Sequence, residues 1–293
     1  MEKEQPDLPD IQTTAPEFEI AIRRVGVSNV KLPFSVVVRD YEGQEKPPEM
    51  TSCLQGTVGE FDAHVFLPHT EKGTHMSRMP LTIQEVLNEA DAFSLTTCRE
   101  IARRMLGNLD SAESEVRVRF PYFIQKEAPV SKQLSFSHYN VEFEVHAEGT
   151  PNDFRFQTFI TVHVVAKSLC PCSKEISDYG AHNQRSNITI RVQLGTVADR
   201  WVWLEELIEV AEDASSCAIW NVLKRPDEKW VTERAFENPK FVEDISRGAA
   251  AAIIREKNGK FLPVRAFRIR VQNEESIHQH DAYAEIKWDR ERF

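Results

Sequence analysis

Alternation of apolar and polar residues at period two dominates this chain and predicts strands over most of its length. EFEIAIRRV from Glu17 and FSVVVRD up to Asp40 read as two strands parted by a short turn. TVGEFDAHVFLP, VRVRFPYFI, LSFSHYNVEFEVHAEG, FRFQTFITVHVVAKSL and NITIRVQL carry the same pattern, and FLPVRAFRIRVQ and AYAEIKW close the chain with it. The turn Gly149-Thr-Pro-Asn-Asp153 between two long runs predicts a hairpin. Helical spacing replaces alternation in three places. Ile83, Val86, Leu87 and Ala90, then Cys98, Ile101, Ala102, Met105 and Leu106, predict helices that stop near Gly107-Asn108. TVADRWVWLEELIEVAEDASS predicts another, and Phe241 to Lys257 a third with Val242, Ile245, Ala249, Ala252 and Ile253 on one side. Residues 217–238 show a mixed pattern.

The order is hairpin, helices, hairpin, and then the same again. Paired strands with segregated helices predict an α+β fold built on antiparallel sheet, with helices covering one sheet face. Residues 1–16 are acidic, carry proline and lack a period, so they read as a flexible tail. Residues 17–130 and 131–293 read as two modules, and residues 40–50 and 69–80 as loops.

Composition narrows the setting. The 293 residues are 41% hydrophobic and 28% charged, a globular balance with ample core material. The formal net charge of −10 argues against a general nucleic-acid or membrane-surface binder. No apolar run approaches the roughly 18 residues of a membrane span. The opening MEKEQPDLPD lacks the apolar centre of a signal peptide, so a cytosolic protein is expected. The five cysteines are an odd number at low density; free thiols are expected, with any special role in metal binding or catalysis.

Four segments carry candidate chemistry. In Cys170-Pro-Cys172-Ser, following a strand directly, Pro171 and Ser173 suit the first turn of a short helix, where a thiolate is favoured. With His182 twelve residues on, it offers a thiolate and an imidazole for a divalent ion, though C-x-C is also compatible with ordinary buried thiols. The stretch from Leu223 to Asp244 is rich in acids and reads either as solvated helix starts or as a source of a metal carboxylate and a carboxylate for a flat heterocycle. Ser276-Ile-His278-Gln-His280 puts two imidazoles on one face if extended, for a metal or for proton transfer. Lys72-Gly-Thr-His75-Met-Ser-Arg78 suits an anion but lacks P-loop spacing.

Taken together, KGTHMSR, SLCPCSKEIS-DYGAHNQRS, LKRPDEK-VTE-A-ENPKFVED and SIH-HDAYA, in this order, resemble the type IB GTP cyclohydrolase I family from about residue 20 to the C-terminus. The resemblance implies a tunnelling fold: two tandem modules of antiparallel hairpins around paired helices, assembling into a barrel-like homotetramer with active sites at subunit interfaces. It implies conversion of GTP and water to 7,8-dihydroneopterin triphosphate and formate, at the entry to folate synthesis and, in bacteria, also feeding queuosine.

By the same resemblance Cys170 and His182 bind the metal, with Glu228 as carboxylate ligand and Glu233 and Glu237 as neighbouring alternatives. Zinc, manganese or iron(II) suits such a set. Glu243 would anchor guanine, His278 or His280 would transfer protons, and Arg78, Arg185, Lys224 and Arg225 would meet the triphosphate. Cys53, Cys98 and Cys217 read as structural. Two competing readings are an NADPH-dependent nitrile reductase of the same superfamily and a non-catalytic metal- or nucleotide-binding oligomer.

Overall fold

The computed structural model describes residues 10–38, 54–195, 202–255 and 262–292. Residues 1–9 of the tail, the whole 40–50 loop, Cys53, residues 196–201 at the start of the predicted TVADRWVWLEELIEVAEDASS helix and residues 256–257 at the end of the predicted Phe241–Lys257 helix lie outside the described residues. Eight strands form one sheet in the order β1-β2-β3-β4-β5-β6-β7-β8, so each strand neighbours the next in sequence. The strands are β1 (Ile22–Val37), β2 (Leu54–Leu67), β3 (Glu113–Glu127), β4 (Leu134–Thr150), β5 (Asp153–Leu169), β6 (Asn183–Leu194), β7 (Val264–Asn273) and β8 (Ala282–Asp289). Helices α1 (Arg78–Glu89) and α2 (Leu95–Asn108) join β2 to β3. A short α3 (Pro171–Ile176) joins β5 to β6, and α4 (Leu204–Ala214), α5 (Arg225–Glu237) and α6 (Val242–Ile254) join β6 to β7.

Two differences from the sequence reading have clear causes. The turn expected inside β1 is an irregularity within one continuous strand. Asn29 takes a positive φ of 60°, a conformation asparagine tolerates, and its N–H donates to Asp62 Oδ1 at 3.1 Å. The mixed stretch 217–238 contains a full helix, α5. Only Asp227, Val231 and Ala235 of that helix are buried, which is too narrow a stripe to register as an amphipathic period.

The chain divides into two compact units that interleave in sequence. The first draws on Met1–Val37, Val58–Val118 and Glu144–Gln157, and the second on Val38–Thr57, Arg119–Phe143 and Thr158–Phe293. In the first, Phe34, Phe61 and Phe93 meet ring to ring beside buried Ile83, Ile101 and Met105. Ser94 caps α2 through Thr97 N, and the two residues form a reciprocal capping box. The described part of the tail packs here: Lys72 N and Gly73 N donate to Thr14 O and Gln12 O. Gly149, at φ 128°, leads into the β4–β5 turn in a conformation only glycine adopts readily.

In the second unit β5, β6, β7 and β8 pair antiparallel in long register, from Leu169↔Asn183 through Ser186↔Asn273 to Asn273↔Ala282. Alternation along these strands buries Ile160, Val162 and Val164, then Ile188, Ile190 and Val192, then Phe267, Ile269 and Val271. Helix α6 packs against α4, β7 and β8. This register brings the β5–β6 and β7–β8 connections to the same end of the sheet.

Candidate active site

The end of β5 is fixed from three directions before the chain reaches Cys170. Lys167 bridges to Cys217, with Lys167 N donating to Cys217 O at 2.8 Å. Leu169 N donates to Ser216 Oγ at 3.0 Å, and Lys240 N donates to Leu169 O at 3.0 Å. Asn238 Nδ2 ties the end of α5 to Ser215 O and Ser216 O. Below these bonds Leu169, Cys217, Val231 and Ala235 form an apolar cluster against Trp220 and Leu223.

Cys170 then stands at the N-cap of α3, where its sulfur accepts from Ser173 N at 3.4 Å, as the Pro171 and Ser173 pattern predicts. Cys170 N donates to His182 O at 3.1 Å, and His182 N donates to Ser173 Oγ at 3.2 Å. Cys170 and His182 are therefore neighbours, bridged by the α3 segment. The His182 ring is largely enclosed, with Nδ1 held 2.9 Å from Gln184 Oε1 and 3.8 Å from Glu275 Oε2. No hydrogen bond among the described residues engages its Nε2.

Two further segments join this end of the unit. The β7–β8 connection carries Glu275, and on it His278 and His280 stack, ring centroids 4.9 Å apart at 17°. Both are exposed, and they stand together in a turn rather than along an extended strand. Lys174 of α3 donates to Phe236 O of α5 and lies 4.5 Å over the Phe236 ring. Lys240 on the α5–α6 linker, bonded to Leu169, sets the start of α6 beside the end of β5. Glu243 stands exposed in the first turn of α6, while Asp244 accepts from Phe241 N at 3.1 Å to cap that helix. No hydrogen bond or ion pair among the described residues engages the Glu243 carboxylate.

The other candidate residues sit on α5, on β6 and in the first unit. Glu228 is exposed on the first turn of α5. One turn further on, Val231 packs with Leu169 in the apolar cluster beneath the end of β5. Cys170, His182 and Glu228 do not form a three-ligand group among the described residues. Glu233 is committed to Lys229 at 2.6 Å, whereas Glu237 is exposed. Lys224 and Arg225 are exposed at the start of α5, and Arg185 is exposed on β6 opposite Lys167. Arg78 belongs to the other unit, where its guanidinium donates to Asn108 O at 2.9 Å. Cys98 and Cys217 are buried, and burial pushes the Cys98 thiol up to about 12 and raises that of Cys217 as well.

The donor pair fits a divalent ion. A cysteine sulfur is a ligand atom for such ions, and an imidazole bonded at Nδ1 offers Nε2 as another. Such a sulfur and nitrogen pair suits zinc or iron(II). Among the described residues, one group of three could hold a metal within a single chain: Glu115, Glu144 and His146 of the first unit. These carboxylates already have side-chain partners. Arg24 lies 2.5 Å from Glu115, Arg117 lies 3.1 Å from Glu144, and His146 Nε2 lies 2.6 Å from Glu144. Sequence reading missed this group, since its members sit on two strands with no shared motif. It missed Gln184 and Glu275 too. For Gln184 a signal existed: strand alternation puts a polar amide on the same face as Ile188, Ile190 and Val192.

Known structures place this architecture in the tunnelling-fold class. Urate oxidase from Bacillus subtilis 168 superposes with a TM-score of 0.57 at 12% identity, covering 92% of this chain and 99% of that one. Uricase from Arthrobacter globiformis gives 0.51 at 8% identity, covering 92% and 94%. Identities this low speak to the fold alone.

Sequence comparison is more specific. The family model described as type I GTP cyclohydrolase folE2 matches residues 8–284. "GTP cyclohydrolase FolE2" of Nitrosococcus oceani is 43% identical, covering 95% of this chain and 94% of its own length. The protein of the same name in Methylobacillus flagellatus is 40% identical, covering 98% of each. The chain belongs to the type I GTP cyclohydrolase FolE2 family.

Proposed function

We propose that the protein is a metal-dependent GTP cyclohydrolase I. It hydrolyses GTP to 7,8-dihydroneopterin triphosphate and formate as the first step of tetrahydrofolate synthesis, with the product also open to queuosine synthesis. Family membership supports the activity. The observation that carries the site is the meeting of Cys170 and His182 with the His278–His280 loop at one end of one sheet.

Cys170 and His182 would hold the ion, which is zinc, manganese or iron(II), and Glu228 is the carboxylate assigned to complete the set. A divalent ion there supplies Lewis-acid activation of water near neutral pH. Glu243 accepts the ring N–H and exocyclic amine of guanine through its two oxygens, a match only guanine offers among the common bases. His278 or His280 carries a proton to the guanine nitrogen released as the five-membered ring opens. Exposed Arg185, Lys224 and Arg225, with Arg78, meet the negative charge of the triphosphate. The reading includes two tandem modules over residues 17–130 and 131–293, a cytoplasmic location and a homotetramer with sites at its interfaces. Among the described residues no helix is long and apolar enough to cross a membrane.

The test is GTP turnover by chelator-stripped protein with zinc, manganese and iron(II) added back singly. Formate and a fluorescent oxidised pterin should return together with metal. Bound metal without formate from any ion would overturn the reading.

A further inference from the structure

We propose that Gln184 is a positioning residue that locks His182 in the one tautomer able to bind a divalent ion through Nε2. This rests on the assignment of His182 as a metal ligand.

Gln184 faces the interior of the second unit, on the side of β6 that buries Ser186, Ile188 and Ile190. A buried primary amide is costly there unless its oxygen and both N–H groups find partners. Its surroundings dictate which way it points. Ser168 Oγ gives its proton to Lys240 O at 2.9 Å, so toward its other neighbours it can only accept. It accepts from Asn273 Nδ2 at 2.9 Å and from Gln184 Nε2 at 3.5 Å. The second neighbour of Gln184 Nε2 is Glu275 Oε1 at 3.4 Å, another acceptor. Reversing the amide would set its oxygen against a carboxylate oxygen and a spent hydroxyl. The oxygen must therefore face His182, where it lies 2.9 Å from Nδ1.

An acceptor at that distance requires the proton on Nδ1. Neutral imidazole carries one ring proton, so Nε2 is left bare. In water the opposite tautomer prevails, and it would present Nε2–H to an arriving cation. Ser168, Asn273 and Glu275 thus act at one remove, by fixing the amide that fixes the ring. Partners of this kind ordinarily account for about 10–100-fold in metal affinity. Glu275 also begins the loop that bears His278 and His280, so the same amide ties the ligand to that loop.

The experiment measures zinc affinity of the full chain by competition with a chromogenic chelator, together with the absorption spectrum of the cobalt(II)-loaded protein. Wild type, Cys170→Ser, Gln184→Leu and the double variant Gln184→Glu/Glu275→Gln are compared, and each metal-free form is melted. Gln184→Leu should bind zinc at least about tenfold more weakly than wild type, with altered cobalt bands and an unchanged metal-free melting point. The double variant keeps an acceptor toward Nδ1 and a donor between residues 184 and 275, and should stay within a few-fold of wild type. Wild-type affinity in Gln184→Leu, with zinc lost in Cys170→Ser, would overturn the role of Gln184 and leave the metal site standing. Equal loss in Gln184→Leu and the double variant would overturn it too, because the acceptor would then not be what matters. Wild-type affinity in Cys170→Ser would remove the metal assignment itself.

Discussion

Cys170 N donates to His182 O at 3.1 Å, and this bond closes the connection between β5 and β6 so that a thiol and an imidazole become neighbours. Because the bond is made by the backbone, the pair survives loss of either side chain. Replacing Cys170 with alanine removes only the thiol cap of a six-residue helix, so it should lower the thermal midpoint of the metal-free protein by at most a few degrees while removing turnover. The loss should exceed the roughly 10–100-fold that follows removal of an outer partner of a metal ligand. Formate release and a melting curve on the same preparation check both halves. Retained activity would end the metal role of Cys170.

Glu243 stands exposed at the start of α6 with its carboxylate uncommitted, beside Asp244, which is spent on capping. Removing a carboxylate that accepts two N–H groups should weaken GTP binding by at least about 100-fold, since two hydrogen bonds to a charged group at about 1.5–3 kcal/mol each come to about 3–6 kcal/mol. Glu243→Ala should show this as a raised KM for GTP. Asp244→Ala should instead lower the melting point through loss of a helix cap, since a cap contributes about 1 kcal/mol. If the two variants exchanged these effects, the guanine assignment would fail.

The hydrophobic pattern made the sheet legible because a strand with one buried face must alternate. The same rule failed at α5, whose buried face is three residues wide, and at β1, where Asn29 absorbs an irregularity without ending the strand. Cys170 and His182 could be singled out because their chemistry lies in one short motif. Their environment could not. Alternation marks Gln184 as an amide on the face of Ile188 and Ile190 but says nothing of its partners, and Glu275 reaches His182 through the pairing of β6 with β7, which joins residues about ninety positions apart. Which bases Glu243 or Glu228 would face was likewise invisible to local pattern, because acids in the first turn of a helix are common for electrostatic reasons alone.

Glu115, Glu144 and His146 meet the distance requirement for a metal, yet two arginines already neutralise the carboxylates. A cation entering there would have to displace Arg117, held 3.1 Å from Glu144. The His146→Ala variant is therefore expected to bind the same number of zinc ions per chain as wild type and to keep GTP turnover. Arg117→Ala should be destabilised by about 1–3 kcal/mol, because Glu144 loses its guanidinium but keeps His146. A zinc count that fell in His146→Ala would show that this cluster does take the metal.

Asp227 is fully buried at the first turn of α5 and joins that helix to the loop after β3. Oδ1 accepts from Val130 N and Ser131 N, both at 2.8 Å, and Oδ2 accepts from Ser131 Oγ at 2.6 Å and Lys224 N at 2.8 Å. Burial alone would raise its pKa, but these donors prevail and hold the carboxyl well below the usual range. A carboxyl depressed in the folded state adds stability in full above its unfolded value, about 3.9, and that contribution is lost as pH falls below it toward the folded value. Asp227→Asn can keep the two bonds at Oδ1, but it turns an NH2 group toward Lys224 N–H, donor against donor. The variant should melt several degrees below wild type from neutral pH down to about pH 5, and the gap should narrow as the buffer is taken below pH 4. A gap that stayed constant into acid would mean that packing, rather than the ionised carboxylate, accounts for the effect.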